Sequence, residues 1–371
     1  MEMFCQKTDW TCKIKRMTLA RKLTAKAAAA RYRNPSKSLR VIAVVGPYGK
    51  TTTALLLTEL LMESGNSVLV LTNKGSKLNG EPLGMRFEPT ARSIQRLLAL
   101  GRKKSVDFVI IEVDQTVVDS HVLESIVLEM VVATAESDVA RAMLERPMAY
   151  SVVPSAFTTE ARDVAPHQAI SFGTDELADA RIGKVKLFRK GTEIELVIDH
   201  QTTLQLATHL IGHANVYNVA AAVAAAYVLA AKIESFVDGV ARLEEVPGNY
   251  EYLPLERLYS VVVDGAYQPT SLELVVADAK KLTKRRLLVV ADETIQFEDY
   301  AKLKQVADAV TVVGEGEQPG IKASDDKKNA LDTVLRGAKQ EDTVLCLGRT
   351  FASQDSDHLS VAQRLAEGSS E

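Results

Sequence analysis

The stretch from Leu39 to Thr53 constrains this chain more than any other. Leu39-Arg-Val-Ile-Ala-Val-Val45 is an apolar, β-branched run of the kind that makes a strand buried on both faces. It leads straight into Gly46-Pro-Tyr-Gly49-Lys50-Thr51, and a helical pattern follows over Thr51–Ser64, ended by Gly65. A strand, a glycine turn and a helix N-terminus in that order make a phosphate cradle. The glycines let main-chain N–H groups close around phosphate oxygens, and the helix end adds positive potential. In such a cradle Lys50 reaches the β- and γ-phosphates, and the Thr51 hydroxyl serves Mg²⁺. The longer form of the pattern has glycine where Val44 stands, so the chain carries the shorter G-x-x-G-K-T form, followed by Thr52 and Thr53.

Further along, strands are expected at Val68–Thr72, Asp107–Val113, Val127–Thr134 and Ala149–Val153, with a helix at Thr90–Gly101. This alternation predicts an α/β fold: a doubly wound parallel sheet carrying the P-loop. Val185–Phe188 and Glu193–Ile198 flank Arg189-Lys-Gly-Thr192 and read as a hairpin. Helices follow at Asn215–Ala231 and Ile233–Leu243, and Pro247-Gly248 marks a boundary. Beyond it a smaller, Rossmann-like α/β alternation begins. Its strands are Ser260–Asp264, Arg286–Ala291, Ala309–Val313 and Thr343–Leu347; its helices are Ser271–Leu282, Asp299–Ala307 and Lys327–Gly337, with a short closing helix before the polar tail Glu367–Glu371. The expected organisation is a basic helical segment (1–37), a central nucleotide-binding domain (38–245) and a C-terminal domain (246–371).

The short phosphate loop with its trailing threonines resembles the Mur ligases and folylpolyglutamate synthetases. Other matches come in the family's order. Ile111-Glu112-Val113 ends a strand where the family places a Mg²⁺-holding glutamate, a hard oxygen ligand suited to that ion. Leu210-Ile-Gly212-His-Ala-Asn215-Val-Tyr-Asn218 resembles the family's G-x-x-N-x-x-N segment, with both amides on one helix face at the nucleotide. Val246-Pro-Gly248-Asn249-Tyr-Glu251 is similar to its P-G-R-x-E hinge. Val262-Val-Asp264-Gly-Ala-Tyr267-Gln-Pro269 is similar to its V-D-Y-A-H-x-P, whose aspartate contacts the ATP ribose. The resemblance runs from Leu39 to Gly348 and lies nearest the UDP-N-acetylmuramyl-tripeptide synthetases. It implies ATP and Mg²⁺ as cofactors, with Gly46, Gly49, Lys50, Thr51, Thr52, Asn215, Asn218 and Asp264 at the nucleotide, Thr51 and Glu112 at the metal, and Lys50 and Glu112 catalytic. The implied activity is an amide-forming ligation through an acyl phosphate, in peptidoglycan biosynthesis. Its substrates would be a muramyl-peptide precursor, small or lipid-linked, and an amino acid.

The departures fall on the transfer chemistry. About 38 residues precede the first strand, where the family has a UDP-binding domain, so the chain reads as truncated. Thr134-Ala-Glu-Ser-Asp138 stands where many members have T-N-x-x-x-D-H. No lysine occurs between Lys104 and Lys184 to serve as a carbamylated second-metal ligand, and no histidine between His121 and His167. His121, Asp114 and Asp119 are substitutes near Glu112, with His121 reading first as a surface histidine. Asn249 replaces the hinge arginine and Tyr267 a histidine. Gly314–Pro319 stands near the place of D-N-P-R, and Gly348-Arg-Thr-Phe takes the place of G-K-G-H. The alternative function is therefore an ATP-binding pseudo-ligase or partner subunit without turnover.

Charge is uneven. Residues 1–40 hold eleven Lys/Arg against two Asp/Glu, while the remainder carries a surplus of twelve acids. The basic helix expected at Lys13–Arg33 reads as a solvated leader or, over 13–40, as a contact for anionic lipid headgroups, more than for nucleic acid. No apolar run approaches the roughly 18 residues of a membrane span, and no signal-peptide pattern opens the chain. Three cysteines, Cys5, Cys12 and Cys346, make no disulfide framework and point to a reducing cytoplasm.

Overall fold

Parallel strands covered on both faces must be apolar throughout, and the centre of the first sheet is. The computed structural model describes residues 19–352 apart from 86, 165–167, 254, 256, 315–320 and 325. Cys5, Cys12, the first part of the basic helix, His167, nearly all of Gly314–Pro319, the closing helix and the polar tail lie outside the described residues. The chain forms two compact units. One runs to Gly183 and includes Leu196–Leu204 and Tyr217–Val240; the other comprises Lys184–Glu195, Gln205–Val216 and the chain from Ala241 onward.

The strands are β1 (Arg40–Val45), β2 (Val68–Thr72), β3 (Gly75–Leu78), β4 (Glu81–Pro82), β5 (Phe108–Val113), β6 (Met130–Ala133), β7 (Tyr150–Pro154), β8 (Gln168–Gly173), β9 (Ala180–Phe188), β10 (Gly191–Ile198) and β11 (Thr202–Thr208). They form one sheet in the order β11-β10-β9-β8-β7-β6-β1-β5-β2-β3-β4. From β8 to β2 every pairing is parallel, with Val44 opposite Glu112 and Val45 opposite Val113 at the centre. On one face Val41, Ala43 and Val45 pack with Ile94, Leu97 and Leu98 of α3 (Ala91–Lys103). Helix α2 (Lys50–Glu63) is buried nearly all round, which its run Ala-Leu-Leu-Leu dictates. Helix α8 (Phe236–Arg242) lies against α2 through Gly239, where any Cβ would stand 3.0 Å from the Leu60 main chain.

The expected strand Val127–Thr134 shortens to β6. Arg146 donates to the Leu123 and Ile126 carbonyls, which holds the preceding residues in a turn and leaves Val127 exposed. The expected hairpin is longer than its sequence signal: β9 starts at Ala180, and the turn is only Arg189-Lys190. Helix α1 (19–31) covers the first unit with Ala25 and Ala29, and Arg102 of α3 donates to the Tyr32 and Arg33 carbonyls beyond its end. Among the described residues no helix is long and apolar enough to cross a membrane.

The second unit has its own sheet of β12 (Glu251–Tyr252), β13 (Ser260–Asp264), β14 (Leu287–Ala291), β15 (Ala309–Val313), β16 (Ile321–Ser324) and β17 (Thr343–Leu347), ordered β12-β13-β17-β14-β15-β16. Strand β12 pairs antiparallel with β13, and the other strand pairs of this sheet are parallel. Alternate residues face two cores: Val262, Val289 and Leu345 on one side with Leu272 and Val276 of α9 (Pro269–Leu282), and Val261, Val290 and Cys346 on the other with Leu331 of α11 (Lys327–Gly337).

Asp342, fully buried just before β17, accepts from Arg286 Nη2 at 2.6 Å and from the Lys339 amide at 2.8 Å. Burial alone would raise this carboxyl, but Arg286 and the amide win and hold it below the ordinary range. A depressed carboxylate contributes stability above its unfolded value, about 3.9, and loses it as pH falls through the folded value. Asp342→Asn should lower the stability of this unit at pH 7 by about 1–3 kcal/mol and flatten its loss below pH 4. Urea unfolding followed across pH checks both.

Candidate functional site

The loop between β1 and α2 is built around glycines that nothing else could replace. Gly46 has φ 136° and Gly49 φ 75°, conformations that favour glycine. A Cβ on Gly46 would lie 2.2 Å from the Thr134 hydroxyl, and one on Gly49 2.2 Å from Asn218 Oδ1. Asn218, on α7 (His213–Val228), is buried and accepts a hydrogen bond from Thr53 Oγ1 at 3.4 Å, so it braces the first turn of α2. Lys50 opens α2 and folds back over the loop, donating Nζ to the Gly46 carbonyl at 2.9 Å. The first turn of a helix leaves main-chain N–H groups without helical partners, and here that turn adjoins the loop. Thr52 is buried and turns its side chain inward.

A second corner lies beside it. Thr51 Oγ1 donates to Glu112 Oε2 at 2.9 Å and reaches Asn73 Oδ1 at 3.4 Å, while the Asn73 amide donates to Glu112 Oε2 at 3.3 Å. Glu112 ends β5 and is only 4% exposed. Burial pushes its carboxyl above the ordinary carboxylate range, against the opposing pull of the Lys50 ammonium, Thr51 and the Asn73 amide. Three hard oxygen donors thus converge, of Thr51, Asn73 and Glu112. That set suits Mg²⁺, which binds through one or two carboxylates and completes its octahedron with phosphate oxygens and water. Asn73 escaped the sequence reading because it stands just past β2, outside any motif.

The suggested substitute metal ligands go elsewhere. Asp114 accepts from the Val117 amide at 2.9 Å as the cap of α4 (Gln115–Asp119), Asp119 accepts from Gln115, and His121 faces Glu124. Among the described residues no group of three or more His, Cys, Asp or Glu gathers to hold a metal ion.

Asn215 and Asp264 belong to the second unit. Asn215 donates to the Ile211 carbonyl at 2.8 Å and accepts from Asn249 Nδ2 at 3.0 Å. Asp264 is buried at the end of β13 and accepts from the Tyr250 and Ala266 amides at 2.8 and 2.7 Å. No motif points to Asp278, a buried residue of α9 that accepts from both the main chain and Nδ1 of His213 at 2.6 Å, fastening the start of α7.

The Mur ligase middle domain matches residues 149–226. A curated relative, the UDP-N-acetylmuramoyl-L-alanyl-D-glutamate–2,6-diaminopimelate ligase of Syntrophomonas wolfei, is 26% identical over 291 residues, covering 73% of this chain. Over these residues the chain is similar to the Mur ligases. The chain spans 59% of that relative's length. Its fold is that of MurF from Acinetobacter baumannii, with a TM-score of 0.72 at 19% identity over 92% of this chain and 80% of the other. MurF from Thermotoga maritima, solved in complex with ADP, gives 0.72 at 16% identity over 93% and 84%.

The raised Glu112 carboxyl has a measurable cost. A carboxyl raised by folding favours the native state below its unfolded value, and that advantage disappears as pH rises through the folded value. The ligand-free Glu112→Gln variant should therefore melt above the wild type at pH 7, and the gap should close towards pH 4. Scanning calorimetry at several pH values tests this. A variant that melts lower at pH 7 would show that the buried charge is a net stabiliser.

Proposed function

We propose that the chain is an ATP-dependent carboxylate–amine ligase of Mur type, acting through an acyl phosphate on a peptidoglycan precursor. The observation that carries this reading is the pairing, in one unit, of the Lys50–Gly46 loop with the Thr51–Asn73–Glu112 corner. In this reading Gly46, Gly49, Lys50, Thr51 and Thr52 take the phosphates, Asn215, Asn218 and Asp264 complete nucleotide recognition, and residues 38–245 and 246–371 act as central and C-terminal domains. Thr51 and Glu112 hold Mg²⁺, with Asn73 beside them. The metal, when bound, neutralises phosphate charge. Lys50 steadies the γ-phosphoryl as it passes to the substrate carboxylate, and an amine then displaces phosphate.

A second reading is a nucleotide-binding pseudo-ligase or partner subunit. It is favoured by Asn249, whose neutral amide is engaged with Asn215 where the family resemblance places an arginine.

Incubation of the full chain with ATP, Mg²⁺, a muramyl-peptide precursor and candidate amino acids, following ADP and phosphate release, separates the two. Substrate-stimulated release that falls about 100-fold or more in Lys50→Ala is expected for the ligase. Tight nucleotide binding without release selects the second reading.

For residues 13–40 we propose contact with anionic lipid. Helix α1 exposes Leu19 and Leu23, one turn apart, while Ala25 and Ala29 face inward. Co-sedimentation with phosphatidylserine vesicles should weaken in Leu19→Asp/Leu23→Asp; equal binding by this variant, or none by the wild type, rejects the contact.

A further inference from the structure

The phosphate loop is aimed by a residue outside it. Thr134 follows β6, which lies beside β1, and its main-chain N–H already ties the two strand ends by donating to the Val45 carbonyl at 2.9 Å. Its hydroxyl is therefore spare for another task. Oγ1 lies 2.5 Å from the Tyr48 carbonyl and 3.1 Å from that of Val45. A hydroxyl has one proton, and the shorter contact takes most of it.

All described peptide bonds are trans, and in a trans peptide the C=O and the following N–H point in opposite directions. Drawing the Tyr48 carbonyl onto Thr134 turns the Gly49 N–H to the other side of the loop. The Val45 carbonyl, held by the same residue, turns the Gly46 N–H likewise. Pro47 has no N–H to offer, so these two donors matter more than in a loop without proline. The absence of a Cβ at Gly46 is what lets the Thr134 hydroxyl come so close.

We infer that Thr134 is a positioning residue of the phosphate site: its hydroxyl presets the Tyr48–Gly49 peptide, and its main-chain N–H the Val45–Gly46 peptide, so that their N–H groups face a nucleotide's β-phosphate. The inference rests on the nucleotide reading above. Thr134 touches no phosphate itself; it lowers the cost of ordering the amides that do.

The test is ADP affinity by calorimetry on the full chain, with wild type, Thr134→Val, Thr134→Ala, Thr134→Ser and Lys50→Ala, and melting temperatures beside each. Thr134→Val and Thr134→Ala should weaken ADP binding about tenfold, the scale of one lost hydrogen bond. Thr134→Ser, which keeps the hydroxyl, should bind within about twofold of wild type on the same scale. Two variants without the hydroxyl are measured so that a folding failure in one leaves the other to decide. Wild-type affinity in either folded variant without the hydroxyl, or a serine variant as weak as valine, overturns the role of Thr134. Wild type that does not bind ADP, or Lys50→Ala that binds it equally well, would instead overturn the nucleotide reading.

Discussion

The parallel register of β1 on β5 is the constraint on which the site depends. Val44 lies opposite Glu112, and Val45 opposite Val113. Both strands are buried on both faces, so a slip of one residue would exchange every side chain between two packed layers. Register therefore delivers the turn at Gly46 and the carboxylate of Glu112 to the same sheet edge. The apolar core thus places a buried acid, which burial disfavours. The bonds from Thr51 and Asn73 and the charge of Lys50 offset part of that cost, and the remainder shows as the raised carboxyl. A core that stabilises the strands while straining the residue at their ends is the usual compromise between stability and a binding site.

Elements with one dominant signal were legible in the sequence. Val68–Thr72, Ser260–Asp264, Ala309–Val313, Lys327–Gly337 and Thr343–Leu347 form where the pattern places them, because an unbroken apolar run or a clear helical period leaves one solution. Others were hidden. β3, β4 and β16 are short and partly exposed, and their pairing comes from the neighbouring strand more than from their own residues. The run before Met130 looks like strand yet is held as a turn by Arg146, a residue some 20 positions away. The same division holds at the site. Gly46, Gly49, Lys50 and Thr51 are contiguous, and Glu112 ends an obvious strand. Asn73, Asp278 and the loop-facing hydroxyl of Thr134 meet their partners only across the fold, so no local pattern could show them.

The two asparagines of α7 show how spacing alone can mislead. Three positions apart, they share a helix face, but they do different work. Asn218 wedges against Gly49 and Thr53, whereas Asn215 pairs its amide with Asn249. An arginine at 249 would bring a planar cation able to hold a phosphate with two parallel bonds; an asparagine brings one amide, already engaged.

Binding a triphosphate and transferring its last phosphoryl group are separable demands. Binding needs donors in a fixed cup, which main-chain amides, a helix end and one ammonium supply. Transfer spreads charge over the equatorial oxygens of the moving group, and neutral donors answer that less well than cations do. The described residues are richer in the first kind of group than in the second. On the proposed reading, turnover would depend on how much charge a metal at Thr51 and Glu112 brings, because an amide, Asn249, stands where the resemblance calls for a cation.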